Sequence, residues 1–290
     1  MASGHWTDGV VGATLLPMTL EDHAGDILRK ARNMAGVGLE AAAQAARLSP
    51  QQYGELEQNG NCAGRPDFAA VAASVGLHGG RLEKIAGGWL PAEVDLSQWR
   101  ELRQLTSDDD GMAVHCYLVW DEAGRDAALF DTGMAASAIQ EHITANQLEL
   151  RHIFITHGHS DHVAALAELR QQYPRAQLHL GAKDAPPQHR NRPNDCIHVG
   201  SLRVTHRETP GHAGDGVTYL IGNWPEDAPY VAVVGDAIFA GSMGRAADGA
   251  LAKAKVREQI LTLPPETLLC PGHGPVTTVA EEKANNPFFA

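Results

Sequence analysis

The stretch Phe154–Leu166, FITHGHSDHVAAL, places three histidines and an aspartate within six residues, between an apolar run and an Ala/Leu-rich one. The run "RHIFIT" reads as a buried strand and "VAALAELRQQY" as the helix after it, so the polar cluster occupies a strand-to-helix turn. A strand end with a turn can point His157 and His159 at one ion, and Asp161 and His162 follow where the helix begins. That is more ligand than one tetrahedral metal needs, and it suggests two metals. Helix capping by Ser160 or Asp161 would explain one of these residues and not three imidazoles.

Working outward, other candidates sit in matching places. "TPGHAGD" offers His212 after the strand "LRVTHRE", "VAVVGDA" offers Asp236, and "LLCPGHGP" offers His273. Each lies beside a glycine in a polar turn. Recurrence at several strand ends implies one shared rim where loop residues converge. Further strands are expected at "GMAVHCYLVW", "DAALFDTG", "AQLHLG", "IHVG" and "VTYLIG", and helices at "MAASAIQEHITANQ" and "LAKAKVREQILTL". The mixture predicts an α/β fold with helical layers on sheets.

This motif set resembles the metallo-β-lactamase fold superfamily over about residues 100–290. "GDAIFAGSMGR" and "PGHGPVTTVAEEKANNPF" are similar to its glyoxalase II-like hydrolases. The resemblance implies a four-layer αββα sandwich with metals at one edge. His157, His159 and His212 would hold one metal, Asp161, His162 and His273 the other, and Asp236 would bridge. Asp131, in "FDTG", would orient ligands, so Asp161, Asp236 and Asp131 are the catalytic carboxylates. The implied activity is hydrolysis of a small thioester of the hydroxyacylglutathione type, by a hydroxide shared between two divalent metals. Nitrogen and oxygen ligation favours zinc and admits iron or manganese. True glyoxalase II enzymes add a C-terminal helical region that this chain lacks, which leaves the thiol open. Arg245 is a candidate for a substrate carboxylate, balanced against an ordinary surface arginine. A mononuclear-iron persulfide dioxygenase using His157, His212 and Asp236 is the alternative within the superfamily.

The N-terminal segment has a different texture. Ile27, Leu28, Ala31 and Met34 share one helical face, and Ser49, Pro50 and Gly60 bracket a further helix. "GLEAAAQAARLSPQQYGELEQN" and its flanks, about residues 20–88, resemble the Cro/repressor-type helix-turn-helix family. Two domains are expected, 1–90 and 91–290, joined by "GGWLPAEVDLSQWREL". Gln51 and Gln52 fall early in the recognition-helix position, where glutamine can pair with adenine. A DNA-binding regulator with a metabolite-sensing domain is therefore a second class of function. Residues 20–90 carry seven basic against eight acidic side chains, a poor footprint for phosphate, and a packing or dimerisation module is slightly favoured.

The formal charge of -12 gives no attraction to nucleic acid or to an anionic membrane surface. No apolar run approaches a membrane span. The start, "MASGHWTDGV", lacks the pattern of a secretory signal. The four cysteines, Cys62, Cys116, Cys196 and Cys270, form no CxxC pair and read as free thiols in a cytoplasmic protein. A secreted β-lactamase is disfavoured on these grounds and by Asp236 standing in "GDA". The expected partner is a small thioester, with a homodimer also admissible.

Overall fold

The computed structural model describes residues 19–109, 111–224 and 228–290. The first residues, read above for a secretory signal, lie outside the described set. Among the described residues no helix is long and apolar enough to cross a membrane.

Two sheets form the centre. The first takes β1 (Leu102–Asp109), β2 (Met112–Trp120), β3 (Asp126–Phe130), β4 (Glu149–Ile155) and β5 (Gln177–Leu180) in sequence order. The second runs β11 (Thr277–Thr278), β10 (Leu268–Pro271), β9 (Val231–Gly235), β8 (Val217–Gly222), β7 (Leu202–Glu208) and β6 (Ile197–Val199). Side chains alternate across a strand, and the apolar residues here obey that period on both faces. Tyr117, Val119, Ala128, Phe130 and Phe154 point into the core between the sheets, where they meet Val204, Tyr219, Ile221, Val231 and Val233. Cys116, Leu118, Leu129, Ile153 and Ile155 point the other way, onto α6 (Ser137–Ala145) and α8 (Leu166–Gln172). Strands buried on both faces therefore read as continuous apolar runs.

The outer face of the second sheet, with Ala232, Val234 and Leu269, carries the remaining helical layer. That layer includes α9 (Gly249–Lys255) and α10 (Val279–Asn285), and also, among the described residues, five N-terminal helices. These are α1 (Ala24–Ala35), α2 (Leu39–Ala45), α3 (Pro50–Asn59), α4 (Phe68–Ser74) and α5 (Gly79–Ala86). Ile27, Leu28, Val71 and Leu82, all fully buried, share one hydrophobic core with Val256, Ile260 and Phe288. The mixed α/β architecture with two packed sheets is thus present, and the helical segment rests directly on it.

Local chemistry explains the helix ends. Ser49 and Gln52 form a reciprocal capping box at α3, Pro50 opens the helix, and Gly60 closes it at φ 76°. Gly25 is needed where α1 crosses α3, because a Cβ there would lie 1.7 Å from the Leu56 carbonyl oxygen. The stretch read as a linker is tied down at its end. Leu96–Trp99 makes a 3-10 turn, and the buried Trp99 donates its indole N–H to the Pro229 carbonyl at 2.9 Å.

Candidate metal centre

Strand direction brings the polar turns together. β3 and β4 run parallel, as do β9 and β10, and β7 has the same sense as β9 because both are antiparallel to β8. The C-terminal ends of these five strands therefore open at one edge. Asp131 follows β3, His157 to His162 follow β4, His212 follows β7, Asp236 follows β9 and His273 follows β10. Ser160 and Asp161 do not cap the helix after β4. That short turn, α7 (Ser160–Val163), has His159 at its N-cap without a side-chain bond.

Three ligand-capable groups form: His157–His159–His212, His157–His162–Asp236, and Asp161–His162–His273. In the first, Nδ1 of His159 lies 3.0 Å from Nε2 of His157 and 2.9 Å from Nε2 of His212. His212 can only donate its Nδ1–H to the Arg245 carbonyl, at 2.9 Å, which leaves Nε2 as a lone pair. Thr156 donates its hydroxyl to Asp131 and so accepts from Nδ1 of His157, which also bares Nε2 there. Two lone pairs thus converge on the His159 nitrogen, an arrangement that wants a cation.

The Asp161–His162–His273 group has the same logic. His273 donates from Nδ1 to the Ala113 carbonyl at 2.7 Å, and His162 donates from Nδ1 to Asp131 at 2.8 Å. Their Nε2 atoms face Asp161, at 3.2 and 3.6 Å, and Asp236, at 3.6 and 3.3 Å. Asp236 also lies 3.5 Å from Nε2 of His212, so its carboxylate faces both groups. Nε2 of His162 and Oδ1 of Asp236 are buried without a hydrogen-bond partner. Unpartnered buried polar atoms are expensive, and a divalent cation would satisfy both. The residues present therefore fit two metals.

Electrostatics agree. Burial pulls the His162 imidazole towards neutrality, but Asp131 and Asp236 outweigh it and lift its pKa to about 11. The cluster thus demands positive charge at that nitrogen, as proton or metal. Burial opposes ionisation of Asp236 too, yet His162 and its neighbours hold the carboxylate well below the usual range. Burial, aided by His162, keeps His157 neutral with a pKa of about 4, and burial also lowers His212. Neutral imidazole is the ligating form.

Asp131 does not reach the open cleft; it is 2% exposed and works behind His162. It sits at φ 56°, accepts from the Thr156 N–H and hydroxyl at 2.7 Å, and fixes the His162 ring. Thr132 then clamps the His162 carbonyl with its N–H and hydroxyl, at 2.8 and 3.0 Å. Sequence reading missed Thr156 and Thr132, which carry no signal beyond their place beside a ligand. It also missed Gly272, where a Cβ would meet Asp236 at 2.4 Å and His162 at 2.5 Å.

A cleft of about 800 Å³ opens over the centre, and His159, Asp161, His212, Asp236 and His273 reach it. Arg245 lines it with an exposed side chain. Gln51 and Gln52 do not line it. Gln51 donates to Glu55 on the α3 surface, and Gln52 is used in the capping box. Glu57, counted above against phosphate binding, is buried and paired with Arg32 at 2.7 and 2.8 Å.

Residues 109–273 match the model of the Metallo-beta-lactamase superfamily. The chain belongs to that superfamily. Its members bind divalent metals, mostly for hydrolysis. Hydroxyacylglutathione hydrolase GloC of Haemophilus influenzae is 26% identical over 201 residues, covering 60% of this chain and 92% of that protein. The solved structure of ETHE1 from Myxococcus xanthus is 32% identical, with a TM-score of 0.56 over 65% of this chain and 84% of that one. TTHA1623, solved in a di-iron-bound form, is 29% identical with a TM-score of 0.51, over 64% and 99%.

Proposed function

We propose that this superfamily member is a binuclear metallohydrolase of a small thioester, similar in activity to the hydroxyacylglutathione hydrolase it resembles. The observation that carries the reading is the pair of complete ligand groups on either side of one carboxylate, Asp236. Bound divalent ions would supply Lewis acidity, which acidifies water and polarises a carbonyl oxygen. His157, His159 and His212 would hold one ion, and Asp161, His162 and His273 the other. Zinc, iron and manganese all suit these donors.

The chain's own residues do the rest. Asp131, Thr156 and the carbonyls of Arg245 and Ala113 hold each imidazole in the tautomer that ligates. Asp236 keeps the two groups at a fixed separation and offsets their charge. Arg245 offers the cleft a guanidinium for a carboxylate on the thiol portion of the substrate. The departing thiolate is a weak base and needs no strong general acid. The free cysteines fit a reducing, cytoplasmic setting. The helical segment fits this picture as a packing element better than as a DNA reader, because Gln52 is spent on its own helix cap.

The test is metal analysis of the purified chain, followed by assay on a 2-hydroxyacyl glutathione thioester. Two metals per chain and thioester cleavage are expected. One tightly held iron, oxygen uptake with glutathione persulfide and no thioester cleavage would replace this reading by the dioxygenase, to which the likeness to ETHE1 would then lend weight.

A further inference from the structure

The family match begins at residue 109, and α1 lies outside it. Yet α1 forms part of the cleft over the metal centre: Asp26, Arg29, Lys30 and Asn33 line it together with Arg245. These four recur at helical spacing on one face. The opposite face, with Ile27, Leu28 and Ala31, is buried in the shared core, so α1 is held from behind.

It is also held from the side. Lys30 donates to Asp22 at 2.5 Å and to the Met243 carbonyl at 3.0 Å, and its ammonium lies over the Phe239 ring. Ser242 donates to the same Asp22 carboxylate. A mostly buried ion pair thus docks α1 onto the loop that carries Arg245. Met34 packs at Gly249, farther along the same segment. The helix therefore follows the Met243–Gly249 segment, with Arg29 and Arg245 on neighbouring elements of one wall.

Charge pairing singles out Arg29. Lys30 is spent on docking. Arg29 gives one Nη2–H to Asp26, whose other carboxylate oxygen lies 3.1 Å from Nε2 of His23, and the remaining donors of Arg29 have no partner among the described residues. Glu21 packs against Gly274, beside His273, at the metal end. Counting along the axis, Arg29 and Asn33 lie about 8 and 14 Å beyond the start of α1. An extended peptide of two to three residues spans about 7–10 Å, the reach from a reacting thioester to a terminal carboxylate.

We propose that α1 is a substrate-recognition wall of the metal centre, and that Arg29, with Arg245, binds a terminal carboxylate of a small peptide thiol. The choice of thiol rests on the thioester reading above. Arg29 is then a specificity-determining residue contributed from outside the family's matched region.

The test is calorimetric binding of S-hexylglutathione and of its diethyl ester to the metal-loaded full chain, with thioester turnover measured in parallel. The acid should bind wild type more tightly than the ester. Arg29→Ala should weaken the acid about tenfold relative to the ester, as expected for one charge-assisted contact. Arg29→Lys should recover part of that loss, which a merely structural role would not produce. Equal affinity of wild type and Arg29→Ala for the acid would overturn the proposal, and so would binding of neither probe by wild type. Acid-selective binding that depends on Arg29, without cleavage of any thioester, would uphold the wall and sink the hydrolase reading.

Discussion

Glu282 is a fully buried carboxylate that no ligand group uses, and it makes the stability of this chain depend on pH. It accepts from the Gly241 N–H at 3.0 Å, from Asn286 at 2.8 Å and from the Thr277 hydroxyl at 2.8 Å. Asn286 in turn donates to the Ser242 carbonyl at 2.7 Å, so the pair grips the loop between Asp236 and Arg245. Burial outweighs these three donors and raises the Glu282 pKa from 4.5 to about 7. Between those values the folded protein holds a proton that the unfolded chain has lost, so stability falls as pH rises and the full penalty stands above pH 7. At 1.36 kcal/mol per unit the total is about 3 kcal/mol, of which about 1 kcal/mol is present by pH 5. Glu282→Gln keeps the shape and most of the hydrogen bonds while removing the ionisation. Its stability relative to wild type, from urea unfolding of both proteins, should therefore rise by about 2 kcal/mol between pH 5 and pH 8. Other titrating groups cancel in that difference. A gap between the two proteins that stays constant across this range would refute the reasoning. Glu282→Ala should instead destabilise at both pH values, because each orphaned donor costs about 1–3 kcal/mol.

Asp236→Ala removes the carboxylate that faces both ligand groups, and metal content by elemental analysis should fall from two ions to one or fewer, with most turnover lost; full metal and full activity would remove Asp236 from the bridge. Asp131→Asn turns an N–H towards His162 and favours the tautomer whose Nε2 is protonated. Affinity at the Asp161–His162–His273 group should drop by roughly 10–100-fold in a chelator competition, and unaltered metal retention would exclude the orienting role. Arg245→Ala keeps the backbone carbonyl that orients His212 and deletes only the guanidinium. KM should rise more than kcat falls, and less so on a thioester without a carboxylate. Equal losses on both substrates would argue against an anion anchor.

Much of this centre is legible in sequence because its parts are local. Each ligand candidate sits in a short glycine-flanked turn directly after an apolar run, so periodicity places it at a strand end before any contact is known. The strands themselves are buried on both faces, which makes runs such as Val231–Gly235 unambiguous. β1 escapes the same reading because "LRQLTSD" is mostly polar and half exposed, an edge strand whose pattern is set by pairing with β2 rather than by burial. α10 escapes because seven residues after a two-residue strand are too few to show a helical period.

What sequence reading could not reach is the relation between distant segments. Lys30 lies 213 residues from Met243 in the chain, and Asp22 lies 220 from Ser242, yet these pairs seat the helical segment on the metal-bearing layer. A regular pattern of short capped helices specifies how each helix starts and stops, and it is silent about which outer surface their common apolar face will cover. Here that surface is the second sheet, at the edge where the ligand turns converge. The helices of residues 24–86 therefore sit where they can act on a small molecule. If Arg29 reads the substrate together with Arg245, the likeness of residues 109–273 to the rest of the superfamily specifies only part of what this chain binds, because one of the two readers lies outside the region they share.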